Sequence, residues 1–276
     1  MSGSLSLSIR KRRFIAIAIT AIAILLMCMW VKSERDGLGE PHLVSGFAVF
    51  AGLVMLILLG VRRRIPFWPL GKASTWTQFH IYTGFFTSAV YLLHVPSIIG
   101  DGLLESFLSL LFVMVSASGF YGLYISRTLP KRLTAVGHEH RFDRIPWTRK
   151  ELATAAESML KKIAEPSAKD VLETFYQKTL GPFFSASPSF AYVLVPTGTR
   201  RRRLLGDLNH LHRYLEQDGR SIAGQFASLV RQRDDLDYQY ALQLRLRVWI
   251  VFHAIMSLLL LLISIVHIAA VFQFAW

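Results

Sequence analysis

Cysteine is almost absent from this chain: Cys28 stands alone among 276 residues. A disulfide framework needs at least a pair of thiols and an iron–sulfur cluster about four, so both are excluded. No Cys-x-x-Cys-His occurs, which excludes covalently attached c-type haem. Charge is scarce as well. Only 18% of residues are charged and 53% are hydrophobic, with a mean hydropathy of +0.39. Soluble domains run at about 25% charged, so the balance leans towards lipid and away from disorder. Acidic side chains are the rarer sign, 18 Asp and Glu against 31 Lys and Arg, for a net charge of +13. A basic chain can bind nucleic acid, but that requires charge on a folded, soluble face. Here the basic residues fall between long apolar runs. They read as setting membrane orientation and meeting anionic lipid headgroups, and no nucleic-acid partner is expected.

Five apolar runs are long enough to cross a hydrocarbon core, which takes about 20 helical residues. They are Phe14–Val31, Leu43–Val61, Trp76–Val95, Leu103–Ser126 and Val248–Phe274. The first follows Arg10-Lys11-Arg12-Arg13 but ends in Met27-Cys28-Met29-Trp30, with no small-x-small cleavage site. It reads as a retained anchor. With the N-terminus inside, the outer loops carry only Lys32 and Arg35, and every other Lys and Arg lies on the cytoplasmic side. The C-terminus is then outside, and the arrangement suits a bacterial inner membrane with a periplasmic outer face. Trp30 and Trp276 fall at the outer interface, Trp76 and Trp249 at the inner one. The expected fold is an all-α integral membrane protein of five transmembrane helices. Residues 1–127 hold spans one to four, 128–246 a mainly helical cytoplasmic insert, and 247–276 the fifth span.

Four histidines lie inside these spans: His80 and His94 in the third, His253 and His267 in the fifth. Ionisable side chains at that depth are costly and tend to be functional. A lone buried histidine is as readily a satisfied core residue, but here each pair repeats the same interval of fourteen residues. Fourteen residues advance a helix by about 21 Å and turn it to within about 40° of four full turns. Both histidines of a span therefore face the same way, one near each membrane surface. The two spans run in the same direction, so His80 meets His253 at the inner level and His94 meets His267 at the outer. Zinc and copper sites want three or four ligands in one place, and a proton relay wants carriers between the pairs. Two isolated imidazole pairs suit the two axial positions of b-type haem iron, so two haem b are expected. Small residues follow the same faces: Gly84 with Thr87 and Ser88 beside the first pair, Ser257 and Ser264 beside the second. Gly46 and Gly60 in the second span are again fourteen apart, as close approach of a cofactor edge or helix favours. Ser116-Ala117-Ser118-Gly119 with Gly122 adds small residues to the fourth.

A His-x13-His pair on each of two parallel helices resembles the transmembrane core of di-haem b cytochromes. Ligand spacing and paired glycines are similar to the cytochrome b of quinol–cytochrome c reductases. The topology is nearer the ferric reductase and NADPH oxidase family, whose haem ligands also sit on spans three and five. The resemblance covers the five spans. It implies a four-helix bundle of spans two to five, with an inner haem on His80/His253 and an outer one on His94/His267. The chain departs from that family in two ways. Its 276 residues contain no sixth span, flavin domain or nicotinamide domain, and a long insert separates spans four and five. The stretch Asp234-Asp235-Leu236-Asp237-Tyr238-Gln239-Tyr240-Ala241-Leu242-Gln243 resembles one found in bacterial membrane cytochromes.

In the insert, Thr148–Ile163 reads as an amphipathic helix, Ser167 caps a second helix to Lys178, and Gly181-Pro182 breaks it. Phe190–Val195, between Pro188 and Pro196, suggests a short strand. Leu204–Glu216 and Ile222–Arg233 read as helices, the last running on into span five. The insert has no GxGxxG, P-loop or Cys/His metal spacing. His138-Glu139-His140 and His210-x-His212 read as surface histidines. Arg200-Arg201-Arg202-Arg203 reads as a loop against anionic headgroups or a docking point for an acidic redox partner. The leading expectation is an electron-transfer subunit of an oxidoreductase complex, conducting electrons across a membrane between a cytoplasmic-side partner and an outer-face partner. With its own flavin, iron–sulfur and c-haem motifs missing, an iron–sulfur or flavin protein inside and a c-type cytochrome, single- or multihaem, outside are the expected partners. The first alternative is a quinone-reactive cytochrome b subunit, with His42, Asp101 and Glu105 near the outer haem. The second is a non-redox membrane scaffold or sensor.

Overall fold

The structure, a computed structural model, describes residues 9–64, 72–95, 99–100, 102–136, 140–163 and 166–274. All the regular secondary structure within them is helical. The order is α1 (Ile9–Asp36), α2 (Pro41–Arg64), α3 (Ala73–His94), α4 (Leu103–Thr134), α5 (Ile145–Leu160), α6 (Pro166–Phe175), a π-helical turn (Tyr176–Leu180), α7 (Gly181–Ser185), α8 (Phe190–Leu194), α9 (Thr199–His212) and α10 (Gln217–Phe274). The chain divides into two compact units, one of Met1–Tyr124 with Trp249–Trp276, the other of Ile125–Val248.

Among the described residues, four helices are long and apolar enough to cross a bilayer: Arg10–Asp36, Pro41–Gly60, Leu103–Thr134 and Gln217–Gln273. The chain thus has the make-up of a multi-pass membrane protein. The third expected span, α3, is a helix of 22 residues, long enough to cross, but falls outside that set. Its composition is the reason: Gln78, His80, Thr83, Thr87, Ser88, Tyr91 and His94 replace the aliphatic residues that fill the other four.

In the first unit, α1 packs on α2 and α3, and α2 packs on α3. Tyr91 of α3 stacks on Phe112 of α4 with ring centres 3.9 Å apart, and Phe47 of α2 meets Phe272 of α10 at 6.1 Å. Tyr91 and Phe112 form the core with Met27, Val49, Leu53, Val90, Leu111 and Leu260, while Phe47 and Phe272 are exposed. The outward surface is apolar as well, with Phe14, Leu25, Leu26 and Met29 of α1 all exposed. A soluble surface does not carry apolar residues at this density, whereas hydrocarbon solvates them at no cost. Two glycines let α2 close on α3. A Cβ on Gly52 would collide with the Thr87 side chain, and one on Gly46 would lie 2.9 Å from Cε1 of His94.

The second unit has its own core, in which Leu172, Leu180, Phe183, Leu204, Leu208, Phe226 and Val230 are buried. Its first helix is Ile145–Leu160, with Pro146 at its start, rather than Thr148–Ile163. Three expectations are corrected here. Phe190–Leu194 is a helical turn, not a strand, because Ser189 caps it by accepting a hydrogen bond from the Tyr192 N–H. Helix α6 begins at Pro166, one residue ahead of Ser167. Gly181-Pro182 does not end the helical path: Gly181 keeps helical angles (φ −56, ψ −52), and Pro182 occupies the first turn of α7, where its missing N–H costs nothing. The last helix does run on, from Gln217 to Phe274.

A buried ionic network ties this unit together. The fully buried Arg233 pairs with Asp237, Arg149 approaches Asp237 at 3.4 Å, and the Ala186 carbonyl accepts from Arg149 (2.6 Å) and Arg233 (2.7 Å). Arg201 pairs with Asp235 at 2.9 Å and reaches Asp234 at 3.7 Å. Burial pushes the Asp234 carboxyl up from 3.8 to about 6, against the pull of Arg201. The folded protein therefore holds this proton where the unfolded chain has lost it. Stability falls as pH rises from about 3.8 through about 6, the reverse of the usual carboxylate trend. Asp234→Asn should flatten that fall, read by tryptophan-fluorescence melting of the detergent-solubilised chain at pH 4.5 and 7. An unchanged pH profile would remove Asp234 from the network.

Candidate functional site

The chemistry-bearing residues of the first unit gather around the four histidines of α3 and α10. At one level His80 and His253 face each other with ring centres 6.3 Å apart and planes at 73°. Metal–imidazole bonds of about 2.0–2.1 Å, with about 1.1 Å from nitrogen to ring centre, set two axial imidazoles about 6.3 Å apart. The pair has the spacing of two ligands on opposite sides of one metal ion.

Hydrogen bonding fixes which nitrogen of each ring carries the proton. Nδ1 of His80 lies 3.0 Å from the Leu56 carbonyl oxygen on α2. A carbonyl only accepts, so Nδ1 donates and Nε2 holds the lone pair. Nδ1 of His253 lies 2.6 Å from Oγ of Ser118 on α4. That hydroxyl spends its one proton on the Val115 carbonyl at 2.8 Å, so it accepts from His253. His94 repeats the device. Its Nδ1 is 3.1 Å from Oγ of Ser45, whose proton goes to the Pro41 carbonyl at 2.8 Å. Three rings on two helices are thus held in the tautomer with Nε2 as the electron-pair donor, the state in which histidine binds a metal.

The walls are shaped to the rings. Trp249 stacks on His253, 5.7 Å between centres and 25° between planes, and its Nε1 donates to the Ser118 carbonyl at 2.8 Å. Trp249 is therefore part of the site and not simply an interfacial anchor. Gly122 lies against the Trp249 ring, and a Cβ on Gly119 would stand 3.7 Å from Cε1 of His253. The small-residue run of the fourth span is what lets this tryptophan and histidine approach α4.

At the other level, His94 and His267 line one cavity of about 360 Å³, with His42, Gly46, Glu105 and Ser264 also in its wall. The ring in contact with His94 is that of His42, centres 6.4 Å apart and planes at 65°. Of the other predicted residues, a Cβ on Gly84 would stand 3.9 Å from Leu56, and one on Gly60 would meet nothing within 4 Å among the described residues. Ser257 and Ser264 donate to carbonyls of their own helix, His253 and Leu260, both at 2.7 Å. Ser88 is half-buried on α3. Among the described residues no three or more His, Cys, Asp or Glu converge on a point that could hold a bare ion. The donors suit a group that brings its own equatorial ligands and asks the protein for two axial ones.

The arginine run is not one surface. It opens α9, where Arg200 lies over the Phe183 ring at 4.9 Å and Arg201 joins the ion pairs with Asp234 and Asp235. Arg202 and Arg203 alone are exposed without such engagement. His210 and His212 are exposed on the last turn of α9. His138, Glu139, Asp101 and Trp276 lie outside the described residues.

No protein-family model, curated protein or solved structure matches the chain. The site is thus read on its own chemistry. Sequence spacing found the four histidines. It passed over Ser45, Leu56 and Ser118 as their partners, because a residue that acts through its carbonyl or a single hydroxyl leaves no pattern along the chain.

The close approach at Gly46 has a direct consequence. Gly46→Val should displace His94 and cost about 1–3 kcal/mol through overpacking, seen as a lower thermal midpoint. A midpoint equal to wild type would contradict the contact.

Proposed function

We propose that the chain is a di-haem b membrane cytochrome subunit that conducts electrons across a membrane. His80 and His253 hold one haem, His94 and His267 the other, and the partners are a cytoplasmic-side redox protein and an outer-face one. The observation that carries this reading is the His80/His253 pair, at axial spacing and with both Nδ1 protons committed elsewhere.

A b-type haem, when bound, supplies a reversible one-electron Fe(III)/Fe(II) couple that no side chain here offers. The protein's part is to hold and insulate. Hydrogen bonds from Nδ1 to Leu56, Ser118 and Ser45 orient the imidazoles and raise the basicity of Nε2. A haem held by His80 and His253 would have no position left for a substrate, which would favour electron transfer over oxygen or iron chemistry. The apolar residues of α2, α3, α4 and α10 exclude water, arranged in this reading as a four-helix bundle with α1 outside it. Repetition of the donor pairs at two levels is what spans a bilayer, since fourteen helical residues cover about 21 Å.

The topology follows from charge. Basic residues concentrate in the 128–246 insert and the loops on its side of the membrane, which puts that side in the cytoplasm, both termini of the insert at the inner face and Trp276 outside, as in a bacterial inner membrane. An acidic iron–sulfur or flavin protein is the natural inner partner. Its contact narrows to Arg202 and Arg203, because Arg200 and Arg201 are engaged within their own unit. A c-type cytochrome serves on the outer face.

Proteoliposomes test this. Vesicles loaded with ferricyanide and given external dithionite should bleach faster with the wild-type chain than with His94→Ala or His253→Ala. Equal rates in wild type, variants and protein-free vesicles would refute transmembrane electron transfer.

A further inference from the structure

The outer level carries a third imidazole that the fourteen-residue repeat does not announce. His42 is the second residue of α2, one turn before Gly46, and its ring lines the same cavity as His94 and His267. The His42–His94 and His80–His253 pairs have nearly the same geometry, 6.4 Å and 65° against 6.3 Å and 73°. If 6.3 Å is the spacing of two axial ligands, then His42 holds that relation to His94.

Two further features favour it. The glycine at position 46 lets α2 lie directly against the His94 ring at this level. Ser45 accepts from His94 Nδ1 and donates to the Pro41 carbonyl, with the His42 carbonyl 3.2 Å from the same hydroxyl. The backbone that carries His42 is therefore the backbone that orients His94. His42 itself is exposed, so its side chain can turn towards the cavity or away from it without displacing a packed neighbour.

We propose that His42 is an axial ligand of the outer haem iron, taken up opposite His94 in exchange with His267. This rests on the haem reading above. The outer site then has a fixed ligand on α3 and an interchangeable one supplied by α2 or α10, whereas the inner site, with Trp249 stacked on His253, has a single arrangement.

The experiment is a variant series in the full-length, detergent-purified chain, read by haem content per chain and by low-spin electron paramagnetic resonance signals. His267→Ala should keep two low-spin haems, and so should His42→Ala. The double variant should lose the outer haem or turn it high-spin, leaving the inner signal at full intensity as the check on folding. If His267→Ala alone loses the outer low-spin signal to the same extent as the double variant, His42 is not a ligand. Should that variant accumulate poorly, His267→Gln gives the same comparison. If His42→Ala alone abolishes the outer low-spin signal, the exchange is overturned in favour of a fixed His42 ligand. A colourless wild-type protein defeats the haem reading itself, whereas a coloured one that fails these comparisons defeats only the role of His42.

Discussion

An imidazole inside an apolar helix cluster must have its N–H satisfied, and that requirement organises this molecule. An unsatisfied polar group in such surroundings costs several kcal/mol, about 2–7 by transfer measures. The chain meets the cost with acceptors on the neighbouring helix α2 or α4: the Leu56 carbonyl for His80, and the hydroxyls of Ser118 and Ser45 for His253 and His94. Each hydroxyl is itself locked by donating back to its own helix. The outcome is chemical as well as structural, because tying down Nδ1 leaves the basic nitrogen at Nε2. Helices α2 and α4 carry neither His80 nor His253, yet they set the tautomer of both rings.

Packing serves the same end. Gly46, Gly52 and Gly122 stand where a side chain would strike His94, Thr87 or Trp249, and Gly119 lies at contact distance from His253. Small residues in membrane helices generally bring backbones together, and here they bring backbones to the histidines. The second unit solves a different problem. Its segments α5, α9 and α10 and the turn at Ala186 are joined by arginine–aspartate pairs and carbonyl contacts around the buried Arg233. Buried ion pairs of this kind define geometry more than they add stability.

Much of this was legible along the chain, and the failures have physical causes. Hydropathy located the long helices, and the fourteen-residue interval picked out His80, His94, His253 and His267, because a helix converts spacing directly into a shared face. Helix α3 was legible by its length and its histidines even though its polar residues lower its hydropathy. Phe190–Val195 was misread because aromatic and β-branched content suits a strand, while the deciding feature was one serine cap. Gly181-Pro182 was misread because a proline stops a helix only where its N–H is needed. The arginine run looked uniform in sequence. Folding separates its members: Arg200, though exposed, lies over the Phe183 ring and Arg201 reaches Asp234 and Asp235, whereas Arg202 and Arg203 are exposed. His42 was weighed only as a neighbour of the outer site, since nothing along α2 repeats it. Its place beside His94 is a property of the α2–α3 contact, which pairs of residues on different helices create and no single segment encodes.

The most direct test of the central claim is the reduced-minus-oxidised absorption spectrum of the purified chain with its haem content measured alongside. The account predicts two b-type haems per chain, both with the low-spin spectrum of paired imidazole ligands. A colourless preparation, from cells supplied with haem, would contradict it.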